Sequence, residues 1–220
     1  MARLERHLVI FVKAPQRGAV KTRLASDIGA GPAQRFAQAC AREAIRRLGR
    51  DARWRCWLAV TPDRFARTGR FWPRGLARLA QGRGDLGARM ARPLKRLPPG
   101  PVVMVGSDIP ALRAHHVARA FQALGHAEAV FGPAADGGYW LVGLSRRPAL
   151  RIPFRRVAWS TGTALAETRA NLPRAARVAT LETLEDIDDA ASWRRWRAGT
   201  RGACSLGAPR RLHSVSMAGA

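Results

Sequence analysis

Val102-Val103-Met104-Val105-Gly106-Ser107-Asp108-Ile109-Pro110 is a short apolar, β-branched run that ends abruptly in Gly-Ser-Asp. Pro110 lacks an amide hydrogen and stops the strand from continuing. The run reads as a buried strand that delivers one carboxylate, Asp108, to the end of a sheet. In an open α/β sheet that end is where ligands bind.

Further strands are predicted at Leu8–Val12, Trp54–Val60, Ala129–Phe131, Tyr139–Leu144 and Arg177–Leu181. Between them, Phe36, Cys40, Ile45 and Leu48 make one apolar helical face, with Pro32 suited to its first turn and Gly49 to its stop. Helices are also expected over Ala88–Leu97, with Pro93 bending it, and over Arg113–Leu124, Gly162–Asn171 and Ala190–Trp196. Asp63–Leu79 is Arg-rich and carries no clear period, and Lys21–Leu24 reads as the end of a loop. Strands alternating with helices predict an α/β fold, a mostly parallel sheet with helices on both faces. One domain over residues 1–198 and a disordered tail over 199–220 are expected, the tail being Gly, Ser, Arg and Ala without periodicity.

A hydrophobic fraction of 47% over 220 residues is ample for one core. No apolar run approaches the roughly 20 residues of a membrane span, and Met1–His7 lacks a secretory signal, so a soluble cytoplasmic protein is expected. The net charge of +24 suggests a nucleic-acid binder. Against that, Lys13, Lys21 and Lys95 are the only lysines among 39 basic residues, and the arginines are spread along the chain. That is a compositional bias rather than a built basic patch, and no zinc-finger, RNA-binding or basic-zipper pattern is present. Cys40, Cys56 and Cys204 are odd in number and far apart, so they form no metal or redox motif.

Several stretches carry candidate chemistry. Lys13-Ala14-Pro15-Gln16-Arg17-Gly18-Ala19-Val20-Lys21-Thr22-Arg23 follows a strand and sets four basic side chains around one glycine. Such a loop can wrap phosphate oxygens, although Val20 stands where a P-loop needs glycine. Asp108, with Gly106 allowing close approach, can hold a divalent cation on a diphosphate, or Ser107-Asp108 can simply cap the next helix. In Gly132-Pro-Ala-Ala-Asp136-Gly137-Gly138-Tyr139, Asp136 either shapes a hairpin turn or accepts hydrogen bonds from a sugar. Glu182, Glu185, Asp186, Asp188 and Asp189 place five of the 15 acidic residues within eight positions. Gathered carboxylates repel unless a cation or an arginine binds them, so Asp186 or Asp188 is a candidate second metal ligand beside Asp108. In Gln81-Gly82-Arg83-Gly84-Asp85-Leu86-Gly87 the glycines permit a phosphate- or base-facing loop, and Asp85 can cap the following helix. His115 and His116 are adjacent, point apart on a helix, and are assigned packing or surface roles.

Lys13–Leu24, Gln81–Met90, Gly106–Pro110, Gly132–Tyr139, Val157–Thr161 and Asp186–Asp188, in this order, resemble the bacterial selenodomain-associated, arsenosugar-type glycosyltransferases over roughly residues 7 to 196. The resemblance implies a nucleotide-diphospho-sugar transferase fold of the GT-A, Rossmann-like kind, similar to guanylyltransferases of molybdenum-cofactor and phospholactate-type cofactor synthesis. It implies that Lys21 and Arg23, with Lys13, Pro15, Gly18 and Thr22, contact nucleotide phosphates. Asp108 and Asp188, with Asp186, would hold Mg²⁺ or Mn²⁺. Gly82, Asp85, Gly106, Ser107, Gly137, Gly138 and Tyr139 would line the substrate site, and Asp136 would orient a sugar or act as base. The chain departs from the pattern in offering a single acid, Asp108, instead of Asp-x-Asp at the strand end. The expected activity is metal-dependent glycosyl transfer from a nucleotide-diphospho-sugar. The alternative is nucleotidyl transfer from a nucleoside triphosphate to a phosphorylated acceptor, and a third reading, after both, is a non-enzymatic nucleic-acid-binding protein. Neither a membrane nor a nucleic acid is an expected partner.

Overall fold

The computed structural model describes residues 4–16, 21–69, 71–147 and 149–200. Among the described residues, seven strands form one sheet: β1 (His7–Lys13), β2 (Arg55–Thr61), β3 (Ala77–Ala80), β4 (Val102–Gly106), β5 (Ala129–Pro133), β6 (Tyr139–Leu144) and β7 (Val178–Thr180). Their order across the sheet is β3-β2-β1-β4-β6-β5-β7. β6 alone runs antiparallel, pairing with β4 on one side and β5 on the other. The α/β fold with a mostly parallel sheet is therefore as expected.

The helices are α1 (Thr22–Ile28), α2 (Ala30–Leu48), α3 (Arg64–Thr68), α4 (Leu86–Arg96), α5 (Ala114–Ala123), α6 (Ala164–Ala170) and α7 (Ala190–Thr200). Strand alternation sorts the core into two layers. Leu8, Ile10 and Val12 of β1 face α2 and α5, where Ile45, Leu48, Val117 and Phe121 meet them. Val9 faces the other way, towards Met90 and Leu94 of α4. Leu8, Ile10 and Leu58 are fully buried, each worth about 1.5–3 kcal/mol of transfer free energy. Buried on both sides, the central strands read as continuous apolar runs rather than alternating ones.

Four parts differ from the sequence expectation. Lys21–Leu24 opens α1, a helix too short to show a period. The Arg-rich stretch after β2 holds α3 and the edge strand β3. α4 passes through Pro93, whose ring is buried and whose carbonyl accepts the amide of Leu97 at 2.9 Å. α7 continues to Thr200, into the expected tail, whose residues 201–220 lie outside the described ones. Among the described residues, no helix is long and apolar enough to cross a membrane.

Candidate active site

The parallel strands bring their C-terminal ends to one edge. β1 leads outward to β2 and β3 on one side, while β4 lies on the other. That reversal opens a crevice between the ends of β1 and β4, the place where open α/β sheets bind ligands. Because β5 and β7 run parallel to β4, the β5–β6 hairpin and the segment after β7 reach the same edge.

Asp108 stands two residues past β4. A Cβ on Gly106 would fall 2.9 Å from its Oδ1, so the glycine leaves room for the carboxylate to fold back over the strand end. Asp108 does not cap a helix, since α5 begins only at Ala114. Its Oδ2 accepts a hydrogen bond of 2.7 Å from Lys21 Nζ. The same ammonium donates to Oδ1 of Asp188, 167 residues away.

Lys21 caps α1 with a left-handed backbone, φ 54° and ψ 53°, a conformation that costs a non-glycine residue roughly 1 kcal/mol or more. Its side chain is only 7% exposed. Burial pulls the ammonium towards deprotonation, but the Asp108 and Asp188 carboxylates outweigh it and its pKa is raised. Lys21 is therefore a fixed positive charge between two carboxylates.

Asp186 and Asp188 arrive on a segment held at both ends. Leu184 pairs alongside Ala134, its amide donating to the Pro133 carbonyl at 3.1 Å. At the far end the Asp189 carboxylate accepts the Ser192 amide at 2.8 Å and so caps α7. Ile187, 2% exposed, inserts among Leu24, Ala33, Phe36 and Cys40 of α1 and α2. Trp193 of α7 stands edge-on to Phe36 at 4.7 Å, with Trp196 at 5.1 Å. With Ile187 plugged inward, the acids on either side of it turn to the strand edge.

One oxygen from each of Asp108, Asp186 and Asp188 lies within 4.8 Å of the others. The acidic pair missing beside Asp108 is thus supplied from residues 186 and 188. Burial, and then the charges of Asp188, Asp108 and Asp136, push the Asp186 carboxyl up to about 6, against the pull of Lys21. Three convergent carboxylates are a hard oxygen donor set that suits Mg²⁺ or Mn²⁺. The crowding that raises Asp186 is what a divalent cation would relieve.

A cleft of about 960 Å³ opens over this cluster. Of the residues singled out from sequence, Lys13, Pro15, Lys21, Arg23, Gly106, Ser107, Asp108, Asp136 and Asp188 line it. Gly18 and the side chain of Thr22 lie outside the described residues. Five others are placed elsewhere. Gly82 donates its amide to Asp63 Oδ1 at 2.9 Å, and Asp85 caps α4 through the Ala88 amide at 2.7 Å. Gly137, at φ 83°, is pressed so close to Gly162 that a Cβ would meet its carbonyl oxygen at 2.1 Å. Gly138 donates to Asp136 Oδ1 at 2.9 Å. Asp136 thus braces the hairpin turn, and it also lines the cleft. Tyr139 turns into the core, edge-on to Phe131 at 5.6 Å, and burial raises its pKa.

Sequence reasoning singled out the loop that Gln81 opens but gave Gln81 itself no role. It is buried, lines the cleft, and its Nε2 donates to the carbonyls of Ala59 at 2.9 Å and Val12 at 3.3 Å, tying β1 to β2 beside the site. The placement of the histidine pair is corrected. The rings of His115 and His116 do not point apart but stand 4.0 Å from each other, near Glu182. His116 Nδ1 accepts the Arg113 amide at 2.9 Å, which puts the proton of the neutral ring on Nε2, facing Glu182 at 3.3 Å. One nitrogen of His116 thus closes the first turn of α5 and the other faces Glu182.

The fold is an α/β fold like that of nucleotide-diphospho-sugar transferases. The sequence over residues 44–161, more than half of the chain, matches the family described as "Uncharacterized protein conserved in bacteria (DUF2064)", and the protein belongs to that family. A protein of Desulfovibrio desulfuricans G20, provisionally named a nucleotide-diphospho-sugar transferase, is 26% identical over 90% of this chain and 88% of its own, with a TM-score of 0.80. The 4-diphosphocytidyl-2C-methyl-D-erythritol synthase of Anaerococcus prevotii DSM 20548 shares the fold at 10% identity, over 90% of this chain and 98% of its own, with a TM-score of 0.55. Rv0371c of Mycobacterium tuberculosis H37Rv, crystallised with manganese, shares it at 18% identity over 87% and 97%, with a TM-score of 0.50. No curated protein matches the sequence.

Proposed function

We propose that this protein is a metal-dependent glycosyltransferase that uses a nucleotide-diphospho-sugar donor. The observation that carries the reading is the meeting of Asp108, Asp186 and Asp188, two of them paired with the Lys21 ammonium, in the crevice where the strand order reverses. The likeness to the Desulfovibrio protein supports it, as does the resemblance to the arsenosugar-type glycosyltransferases. Asp108, Asp186 and Asp188 would hold Mg²⁺ or Mn²⁺; a manganese complex of Rv0371c is consistent with that choice. Bound there, the cation would stabilise negative charge on the departing nucleoside diphosphate, as a Lewis acid does. Lys13, Lys21 and Arg23 line the same cleft and neutralise phosphate oxygens. Asp136, which lines the same end of the cleft, orients an acceptor hydroxyl and accepts its proton. The test is donor turnover with and without Mg²⁺, for the native protein and for Asp108→Ala. Activity surviving that substitution would refute the metal role.

A second reading keeps the site and changes the bond broken: nucleotidyl transfer from a nucleoside triphosphate to a phosphorylated acceptor. It is favoured by the single acid at the β4 end and by the fold shared with the diphosphocytidyl-methylerythritol synthase. Release of pyrophosphate rather than nucleoside diphosphate separates the two.

A further inference from the structure

The cleft does not end at the acidic cluster. It continues along α2, away from the strand edge, and its character changes on the way. The acids that line it, Asp108, Asp136 and Asp188, all belong to the strand-edge end. Along the other arm, Arg42, Arg46 and Arg50 repeat at intervals of four, so they fall on one side of α2 and just past its end. At the helical rise they span about 12 Å. Ile45 lies on the same arm, and Phe71 and Leu76 approach from the chain between α3 and β3.

Arg46 is engaged, donating to both oxygens of Glu43 at 2.7 and 2.6 Å. Arg42 and Arg50 have no acidic partner among the described residues. Phe71 is 43% exposed although its neighbour Trp72, 4.7 Å away ring to ring, is buried. Arg42 and Arg50 are exposed, and they share the wall of this arm with the open ring of Phe71. A guanidinium binds carboxylate or phosphate in a planar fork. The cleft, at about 960 Å³, is the size of a small-molecule site and not of a macromolecular interface.

We propose that the α2 arm of the cleft binds the acceptor, and that this acceptor joins an anionic group, phosphate or carboxylate, to an apolar alkyl or aryl body. As a role in transfer, this rests on the function proposed above. As a binding site, it stands on the arm's own residues. Arg42 and Arg50 take the anion, and Phe71 with Ile45 and Leu76 covers the apolar part. The donor diphosphate keeps to the Lys21 end.

The test uses the full chain and the fluorescent probe 8-anilino-1-naphthalenesulfonate, an anionic aryl amphiphile, competed by hexyl phosphate, hexanoate, hexanol and inorganic phosphate. Hexyl phosphate or hexanoate is expected to displace the probe at concentrations at least tenfold lower than hexanol or inorganic phosphate, and the better of the two identifies the anion. Arg42→Glu with Arg50→Glu is expected to weaken the probe at least tenfold. Arg174→Glu with Arg177→Glu, an equal charge change at exposed positions elsewhere, is expected to weaken it less than twofold. Phe71→Ser, which leaves the arginines in place, should weaken hexyl phosphate but not inorganic phosphate. Equal loss in both arginine pairs would mean general charge attraction and overturn the proposal, as would competition by hexanol as strong as by its phosphate. Mg²⁺-dependent binding of nucleotide-sugars, measured by calorimetry on the same variants, keeps the two readings apart. If it is retained while the arm fails, only the acceptor site falls. If it is absent while the arm binds as expected, only the transferase reading falls.

Discussion

Asp108 and Asp188 meet on one ammonium but reach it by different means. Asp108 follows β4, a strand hydrogen-bonded to β1 on one side and β6 on the other, with Val102 to Val105 buried on both faces. Asp188 follows no strand. Its segment touches the sheet at the Ala134–Leu184 bridge and is otherwise held by side chains, with Ile187 driven into the α1–α2 pocket and two tryptophans of α7 against Phe36. One carboxylate is placed by backbone register and the other by packing. A backbone ladder survives the loss of one side chain; a plug does not.

The comparison is tested most strongly at the acids themselves. Asp108→Asn and Asp188→Asn are each expected to remove Mn²⁺ binding, read by electron paramagnetic resonance, and to lower kcat/KM roughly 10³-fold, the several kcal/mol a catalytic cation supplies. If Asp188→Asn costs less than tenfold, the packed segment is dispensable and the two routes are not equivalent. Next come the supports. Met104→Ala in β4 and Ile187→Ala should each cost about 2–5 kcal/mol in urea unfolding. Only Ile187→Ala is expected to weaken Mn²⁺ as well, by about tenfold or ~1.4 kcal/mol. Equal weakening by Met104→Ala would show that the strand needs its packing as much as the segment does.

A smaller effect concerns the ammonium that both acids share. Lys21→Met removes a cation that competes for the same oxygens, so Mn²⁺ affinity should rise several-fold while donor turnover falls. The metal-free protein should lose on the order of 1 kcal/mol, discounted because the carboxylates are 39% and 47% exposed. Unchanged Mn²⁺ affinity would mean that the ammonium and the ion occupy separate places. The smallest effect lies far from the site, on the β1 strand that anchors the ladder. His7 is fully buried, and burial lowers its pKa against the opposing pull of Glu5. With the folded value below the free one, its contribution to stability is complete above about pH 6.5 and is lost as the pH falls below it. His7→Phe should flatten the urea midpoint between pH 7 and pH 5; an unchanged slope would assign the acid loss to other groups.

Much of the site was legible because its parts are local. A strand that stops in Gly-Ser-Asp-Ile-Pro announces its own end, and Lys21 stands out where lysine is scarce. The acids at 182–189 drew notice because they crowd within a basic chain. Other parts had no local signal. The glycines at 82 and 137 are there for other chain segments, Arg92 and Gly162, and their motifs look the same whether they face a ligand or a neighbour. Tyr139 begins a strand, and its inward side follows only from how β6 pairs with β4 and β5. α1 and β3 are too short for periodicity to declare them.

Periodicity, breaks and the placing of scarce residue types by themselves determined the class of fold, the order of six of its strands along the chain, and which short stretches carry charge. Those properties depend on neighbours in sequence, and the chain alone records them. Only the tertiary structure decided that Asp108 and Asp188, 80 residues apart, share the ammonium of Lys21, and that arginines of α2 extend the same cleft. Such meetings depend on strand order and on where one isoleucine finds a pocket, and neither is encoded within any single stretch.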